Sequence, residues 1–223
     1  DATKVVVASK KLYVNREEGF IGTAMRKDEF VSDCSDIDDI IVFKQDGSMQ
    51  VVKVDSKVFV GKGIIYCGVF KKKDDRTIYN MIYKDGSSSN TFMKRFAVSA
   101  VTRARSYSLT KSEKGSKVLY FTANPNGEAE TVTIYLRKSL KLKKHKIDID
   151  FSNLSIKNKT AVGNIVTKHA VNKVELKTQG VSTLAAREIW YDKIVKRLNV
   201  DKRGDLLGAF KATDKILTIK QSG

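Results

Sequence analysis

A short β-rich run, a turn dipeptide and a second β-rich run recur along this chain at a nearly fixed spacing. The first copy is Ile40-Ile41-Val42-Phe43, Asp46-Gly47 and Val51-Val52-Lys53-Val54. The second is Tyr79-Asn80-Met81-Ile82-Tyr83, Asp85-Gly86 and Phe92-Met93-Lys94-Arg95-Phe96. The third is Val118-Leu119-Tyr120-Phe121, Asn126-Gly127 and Val132-Thr133-Ile134-Tyr135-Leu136. Asp-Gly and Asn-Gly supply the positive φ of tight hairpin turns, and β-branched or aromatic residues flank them. The turn glycines Gly47, Gly86 and Gly127 lie 39 and 41 residues apart. A period of this size marks units that cannot bury an apolar face alone and must stack on their neighbours.

Partial copies extend the pattern. Leu12-Tyr13-Val14-Asn15-Arg16 and Gly163-Asn164-Ile165-Val166-Thr167-Lys168 resemble the strand Thr91-Phe92-Met93-Lys94-Arg95. Ile216-Leu217-Thr218-Ile219-Lys220-Gln221-Ser222-Gly223 overlays Ile40-Ile41-Val42-Phe43-Lys44-Gln45-Asp46-Gly47. No segment holds a helical apolar period; Ala185 to Leu198 comes nearest and also reads as alternating strand. The expectation is an all-β chain: one domain over residues 1–223, about four four-stranded antiparallel blades, with Asp214 to Gly223 starting another. At 223 residues it can bury roughly 70–75% of its unfolded surface without staples.

Charge supplies the functional hint. The chain carries 42 Lys and Arg against 25 Asp and Glu, a formal +17. Residues 1–60 hold nine basic and eleven acidic side chains (−2), and residues 61–223 hold thirty-three and fourteen (+19). Segregation on this scale points to a polyanionic partner, with phosphates neutralised by cations beside repeated strands. The candidate contacts are Lys94, Arg95, Arg103, Arg105, Arg137, Lys138, Lys141, Lys143, Lys144 and Lys168, with Lys71-Lys72-Lys73 a further basic group. Other chemistry is poorly supported. Cys34 and Cys67 are too few for a disulfide scaffold or a four-cysteine zinc site. Asp33, Asp36, Asp38 and Asp39 lack the glycine and closing Glu of a calcium loop. Gly61-Lys62-Gly63 lacks the rest of a phosphate-binding loop, and His145 and His169 stand without companion ligands. No metal site and no catalytic set is expected, and Trp190 reads as packing. No membrane-length apolar run or secretory signal is present, so a soluble, cytosolic piece of a longer protein is expected.

The order of these motifs resembles the C-terminal domain of bacterial type IIA topoisomerase A subunits. In that family a Tyr-x-Lys-Arg-type strand leads to a glycine-rich box, an acidic stretch and a Leu-rich strand ending at a turn glycine. Here Leu12 to Thr23 precedes Asp36 to Gly47 in that order, and Leu119-Tyr120-Phe121-Thr122 and Gly163 to Lys168 extend the likeness over nearly the whole chain. The resemblance implies a β-pinwheel, a propeller-like disc that wraps duplex DNA on a basic rim. At the box this chain has Glu17-Glu18-Gly19-Phe20-Ile21-Gly22-Thr23: Gly19 and Gly22 remain, and carboxylates replace the cations. That degenerate box looks like topoisomerase IV rather than gyrase.

The resemblance further implies a non-catalytic piece that presents DNA for strand passage, with relaxation, decatenation and chromosome segregation as the parent's work. Cleavage would belong to the rest of the parent polypeptide, a homodimer, with ATP hydrolysis in a separate ATPase chain. Mg2+ and ATP are therefore expected of the parent and no cofactor of this chain. The location implied is the bacterial cytoplasm, on the nucleoid, with no membrane partner. Two alternatives stay open: a gyrase domain of the same kind with a degenerate box, and a basic propeller-like scaffold for RNA or acidic proteins. A propeller enzyme would need inward carboxylates or histidines, of which the sequence offers few.

Overall fold

The computed structural model describes residues 9–139, 142–211 and 214–219. Its strands, in chain order, begin with β1 (Lys10–Asn15), β2 (Phe20–Gly22), β3 (Glu29–Cys34), β4 (Asp39–Lys44), β5 (Ser48–Lys53) and β6 (Val58–Phe59). There follow β7 (Ile64–Phe70), β8 (Ile78–Lys84), β9 (Thr91–Ala97), β10 (Ser106–Ser108), β11 (Lys117–Asn124), β12 (Glu128–Leu136) and β13 (Lys146–Asp150). A 3-10 turn at Phe151–Asn153 precedes β14 (Lys157–Asn158), β15 (Asn164–Thr167), β16 (Val171–Ser182), β17 (Arg187–Asp192), β18 (Arg197–Asn199) and β19 (Asp205–Phe210). These strands form five small sheets, antiparallel except for the two-residue pairing of β14 with β9.

One rule generates the sheets. Each repeat opens with a hairpin, and its next full strand returns to pair with the hairpin's leading strand. Thus β3 pairs β1, β7 pairs β4, β11 pairs β8, β16 pairs β12 and β19 pairs β17. Between hairpin and returning strand, the chain crosses to the preceding sheet and leaves a short strand on the free edge of its hairpin. So β6 lands on β2, β10 on β5, and β14 and β15 on β9. The first three sheets are therefore each completed by the repeat that follows.

Neighbouring sheets share cores, and strand periodicity explains how. Adjacent side chains of a strand point to opposite faces. In β4, Ile40 and Val42 pack with Leu12, Val14 and Ile21 of the first sheet, while Ile41 and Phe43 pack with Tyr79, Met81 and Phe96 of the third. Both faces of β4 are covered, and its residues Ile40 to Phe43 are accordingly an unbroken apolar run. In β12 only alternate residues are apolar: Val132, Ile134 and Leu136 pack with Ile82, Met93 and Tyr120 of the third sheet. Thr131, Thr133 and Tyr135 face the other way, so the fourth sheet is packed on one face. Beyond Thr167 no described residue is buried, and the fifth sheet shares no such core.

The all-β reading holds, and its details change. Asp46-Gly47 turns the β4–β5 hairpin, with Gly47 at φ +82°. Asp85-Gly86 lies in the β8–β9 hairpin, but the positive φ there belongs to Ser89 (+58°). Asn126-Gly127 does not close a hairpin: β11 belongs to the third sheet and β12 to the fourth, so this tight turn is a crossing between sheets. The sheets number five rather than about four, and the last two have three strands each among the described residues. The extra hairpin is β17–β18, which overlaps Ala185 to Leu198 and ends at Asn199. The expected further start at Asp214 to Gly223 forms no strand over 214–219, and 220–223 lie outside the described residues.

Gly22 and Gly19 have a structural reason to be glycine. A Cβ on Gly22 would sit 2.1 Å from the Ser56 carbonyl oxygen, at the entrance to the exchanged strand β6. Gly19 closes the β1–β2 turn at φ +81°, and its carbonyl accepts the Val60 N–H just after β6. Both glycines admit the crossing segment. Gly22→Ala should destabilise the protein by about 1–3 kcal/mol through overpacking, read as a lowered urea midpoint with an unchanged slope.

Candidate nucleic-acid interface

The densest basic run becomes a shaped surface at one end of the fourth sheet. Residues 137–145 connect β12 to β13, and residues 168–170 connect β15 to β16. Backbone bonds draw the two connections together: the Leu136 N–H reaches the His145 carbonyl and the Arg137 N–H reaches the Ala170 carbonyl, each at 2.8 Å. Arg137, Lys138, Lys143, Lys144 and Lys168 are all exposed on this lobe. Lys141 lies outside the described residues.

The outer face of the same sheet continues the lobe. Tyr135 is paired with Lys146 on β13 and Lys173 on β16, which puts all three side chains in one cross-strand row. The Lys146 and Lys173 ammonium groups stand 5.1 and 4.8 Å from the Tyr135 ring centre. The next row is Asp148, Thr133 and Glu175. There Lys177 pairs with Asp148, and Lys173 reaches Glu175 at 2.6 Å. Carboxylates thus bound the cationic surface on the sheet, while the lobe beyond it has none.

Arg103 and Arg105 lie elsewhere, on the crossing from β9 to β10. Arg103 Nε donates to buried Asp39 at 2.7 Å and remains about half exposed. Arg105 is exposed, 5.3 Å from the centre of Tyr107, and Lys159 stands over the same ring at 5.0 Å. Lys71, Lys72 and Lys73 are exposed on the β7–β8 connection, along a cleft of about 650 Å³ that Arg76 and Arg187 also line. Of the acidic stretch, Asp33 lies in β3, Asp39 opens β4, and Asp36 and Asp38 lie on the connection, where the Asp38 carboxylate accepts the Ser35 N–H at 2.8 Å.

Lys94 and Arg95 are corrected by the structure. Each is 3% exposed, so neither presents its charge to a partner. They are neighbours on β9 and point to opposite faces of the third sheet. Lys94 Nζ donates to the carbonyls of Leu109 and Lys159, both at 2.9 Å, and lies 4.5 Å from the Phe96 ring centre. Arg95 Nη2 donates to the Gly127 carbonyl and Thr183 Oγ1, both at 2.7 Å. On that face Glu130 accepts from Asn80 at 2.8 Å and Thr122 at 2.6 Å. The Lys-Arg dipeptide therefore fastens the third sheet to its surroundings on both sides, and a run of cations in sequence carries no sign of that.

Sequence reasoning missed Tyr107, Lys159 and Lys173 as companions of the basic surface. The alternation Thr133-x-Tyr135 marks an outward face, but only the register reveals which lysines share it.

Burial pushes the Lys94 ammonium down to about 7, against about 10.4 for a free lysine. Between these values the unfolded chain holds a proton that the folded chain has released, so unfolding free energy rises with pH. Below about pH 7 both states are charged and this contribution is flat. Cys67 and Tyr79, whose values burial raises, act in the opposite sense at higher pH, so pH 7–9 is the informative window. There the wild type should gain up to about 1.4 kcal/mol per pH unit relative to Lys94→Met, measured as urea midpoints of both proteins across the window.

The family model described as topoisomerase C-terminal domain, Bacteroidota, matches residues 11–179, from the first sheet into β16. The A subunit of DNA topoisomerase 4 from Borreliella burgdorferi is 24% identical over 175 residues, covering 78% of this chain and 26% of that protein. The chain thus spans about a quarter of the relative's length. A crystal structure of the C-terminal domain of DNA topoisomerase IV is similar with a TM-score of 0.43 at 11% identity, covering 79% of this chain and 64% of that one. The family match spans most of the chain, and the chain belongs to the topoisomerase C-terminal domain family of the Bacteroidota.

Proposed function

We propose that this chain is a single domain, a β-pinwheel, that binds duplex DNA for a bacterial type IIA topoisomerase and holds a segment for strand passage. The observation that carries the reading is the convergence of two connections into one basic lobe on the uncovered end of the fourth sheet. Arg137, Lys138, Lys143, Lys144 and Lys168 protrude there without a paired carboxylate among the described residues. Lysines and arginines so placed neutralise phosphates and release counterions, giving affinity that ignores base sequence. Tyr135 with its two lysines extends the contact along the sheet.

Topoisomerase IV is the preferred parent. At the box, Glu17 and Glu18 stand where cations would reinforce wrapping, while Gly19 and Gly22 serve the crossing of β6. In this reading the remainder of the dimeric parent polypeptide cleaves DNA with Mg2+, a separate ATPase chain hydrolyses ATP, and the assembly works on the nucleoid in the cytoplasm. This chain's own part is to hold DNA.

A phosphate-dominated complex weakens linearly in log affinity against log salt, by about 0.9 per phosphate neutralised. Replacing Lys138, Lys143 and Lys144 together with Gln should flatten that slope by about two to three units and weaken binding to all duplex sequences alike. Fluorescence anisotropy with duplexes of several sequences and lengths, and with RNA, measures this. A salt-independent complex, equal affinity for very short and long duplexes, or a preference for RNA would overturn the reading.

A further inference from the structure

A second cationic group is built from two successive crossing segments, and the lobe of the fourth sheet takes no part in it. Tyr107 belongs to β10, the strand the third repeat leaves on the second sheet. Lys159 lies between β14 and β15, the strands the fourth repeat leaves on the third sheet. These segments meet where Arg105 and Lys159 gather over the Tyr107 ring, at 5.3 and 5.0 Å. The Thr102 N–H donates to the Tyr107 hydroxyl at 2.8 Å, and Lys159 Nζ donates to the Ala100 carbonyl. Arg103 beside them is tied to Asp39. Arg105 and Lys159 have no carboxylate partner among the described residues.

Beneath this group lies Lys94. Its ammonium donates to the Leu109 carbonyl, two residues past Tyr107, and to the carbonyl of Lys159 itself. One buried side chain therefore holds the backbone that carries the aromatic ring and the backbone that carries one of its two cations. Two cations on a phenol ring, one a planar guanidinium, match a phosphodiester that needs charge neutralisation and a flat fork of donors. They would do so only while the two crossings stay in register.

We propose that Arg105 and Lys159 over Tyr107 form a second phosphate-contact patch for duplex DNA, and that Lys94 is the residue that positions it. The proposal rests on the DNA-binding reading and adds a separate surface, created by the interlocking of repeats. Lys94 touches no phosphate itself. It acts through the two carbonyls it holds.

The test is the salt dependence of duplex binding by the full chain. Arg105→Gln with Lys159→Gln should flatten the slope of log affinity against log salt by about two units, one for each phosphate no longer neutralised. Lys94→Met, folded as judged by circular dichroism, should flatten it by a similar amount, and adding it to the pair should flatten it no further. A purely structural role for Lys94 would lower stability without removing those two units. Where Lys94→Met does not fold, hydrogen exchange of the wild type decides: duplex DNA should slow exchange in residues 98–109 and 157–163 together. An unchanged slope in the Arg105/Lys159 pair, an unchanged slope in folded Lys94→Met, or no protection of those segments overturns the proposal. If neutralising Lys138, Lys143 and Lys144 flattens the slope while the Arg105/Lys159 pair leaves it unchanged, this patch fails and the DNA reading stands. A wild type with no salt-dependent binding overturns both.

Discussion

The crossing of each repeat onto the sheet before it is the constraint from which the rest follows. A hairpin alone exposes unpaired backbone on its second strand, and isolated two-stranded units are marginal in water. Here β6, β10 and the β14–β15 pair close those edges on the first three sheets. The crossing needs chain length: residues 54–63, 98–116 and 151–170 supply it. In the fifth repeat only residues 200–204 separate β18 from β19. This short connection accompanies the lack of an exchanged strand on the fourth sheet among the described residues.

Interlocking also dictates where buried charge is tolerated. A segment that crosses between sheets brings backbone carbonyls into the interior, and each needs a donor. Lys94 serves Leu109 and Lys159, and Arg95 serves Gly127, all carbonyls on crossings or turns between sheets. Burying these cations costs free energy, visible in the lowered Lys94 value. The compensation is that two charged donors on successive residues of one strand satisfy groups on opposite faces. An apolar residue at 94 would take from the Leu109 and Lys159 carbonyls the donor they share, whereas the Gly127 carbonyl also accepts from the Thr183 N–H and hydroxyl.

Much of the sheet pattern was legible because it rests on local rules. The β-rich runs of the first two copies and the hairpin turn at Asp46-Gly47 need only propensity and turn chemistry. The membership of strands in sheets was not legible: Asn126-Gly127 has the chemistry of a hairpin turn, yet β11 had already been taken by β8. Tight turns and β-branched flanks are local, whereas the choice of partner depends on which edge is free when a strand arrives. The same gap separates the candidate contacts. Arg137, Lys138, Lys143, Lys144 and Lys168 are exposed as their loops and turns suggest, while Lys94 and Arg95 look identical in sequence and are buried. Their burial follows from β9 being covered on both faces, and the largely apolar character of its hairpin partner β8, broken at Asn80, is the sequence sign of it.

Periodicity also explains why the cationic surface lies where it does. Strands β4 and β8 spend both faces on neighbouring cores, so neither has a face to offer a ligand. In the stack of the first four sheets, among the described residues, free faces remain on the first and the fourth. The outer face of the first carries Tyr13, Phe20, Phe30 and Phe59, in a segment where acidic residues outnumber basic ones. The outer face of the fourth alternates Thr131, Thr133 and Tyr135 and is flanked by Lys146, Lys173 and the 137–145 connection. A strand packed on one side is free to place polar residues on the other, and a strand packed on both can hold them only with buried partners, as Lys94 and Arg95 have on β9. The charge surplus of the chain therefore meets an uncovered sheet face at one end of the shared cores rather than along their middle.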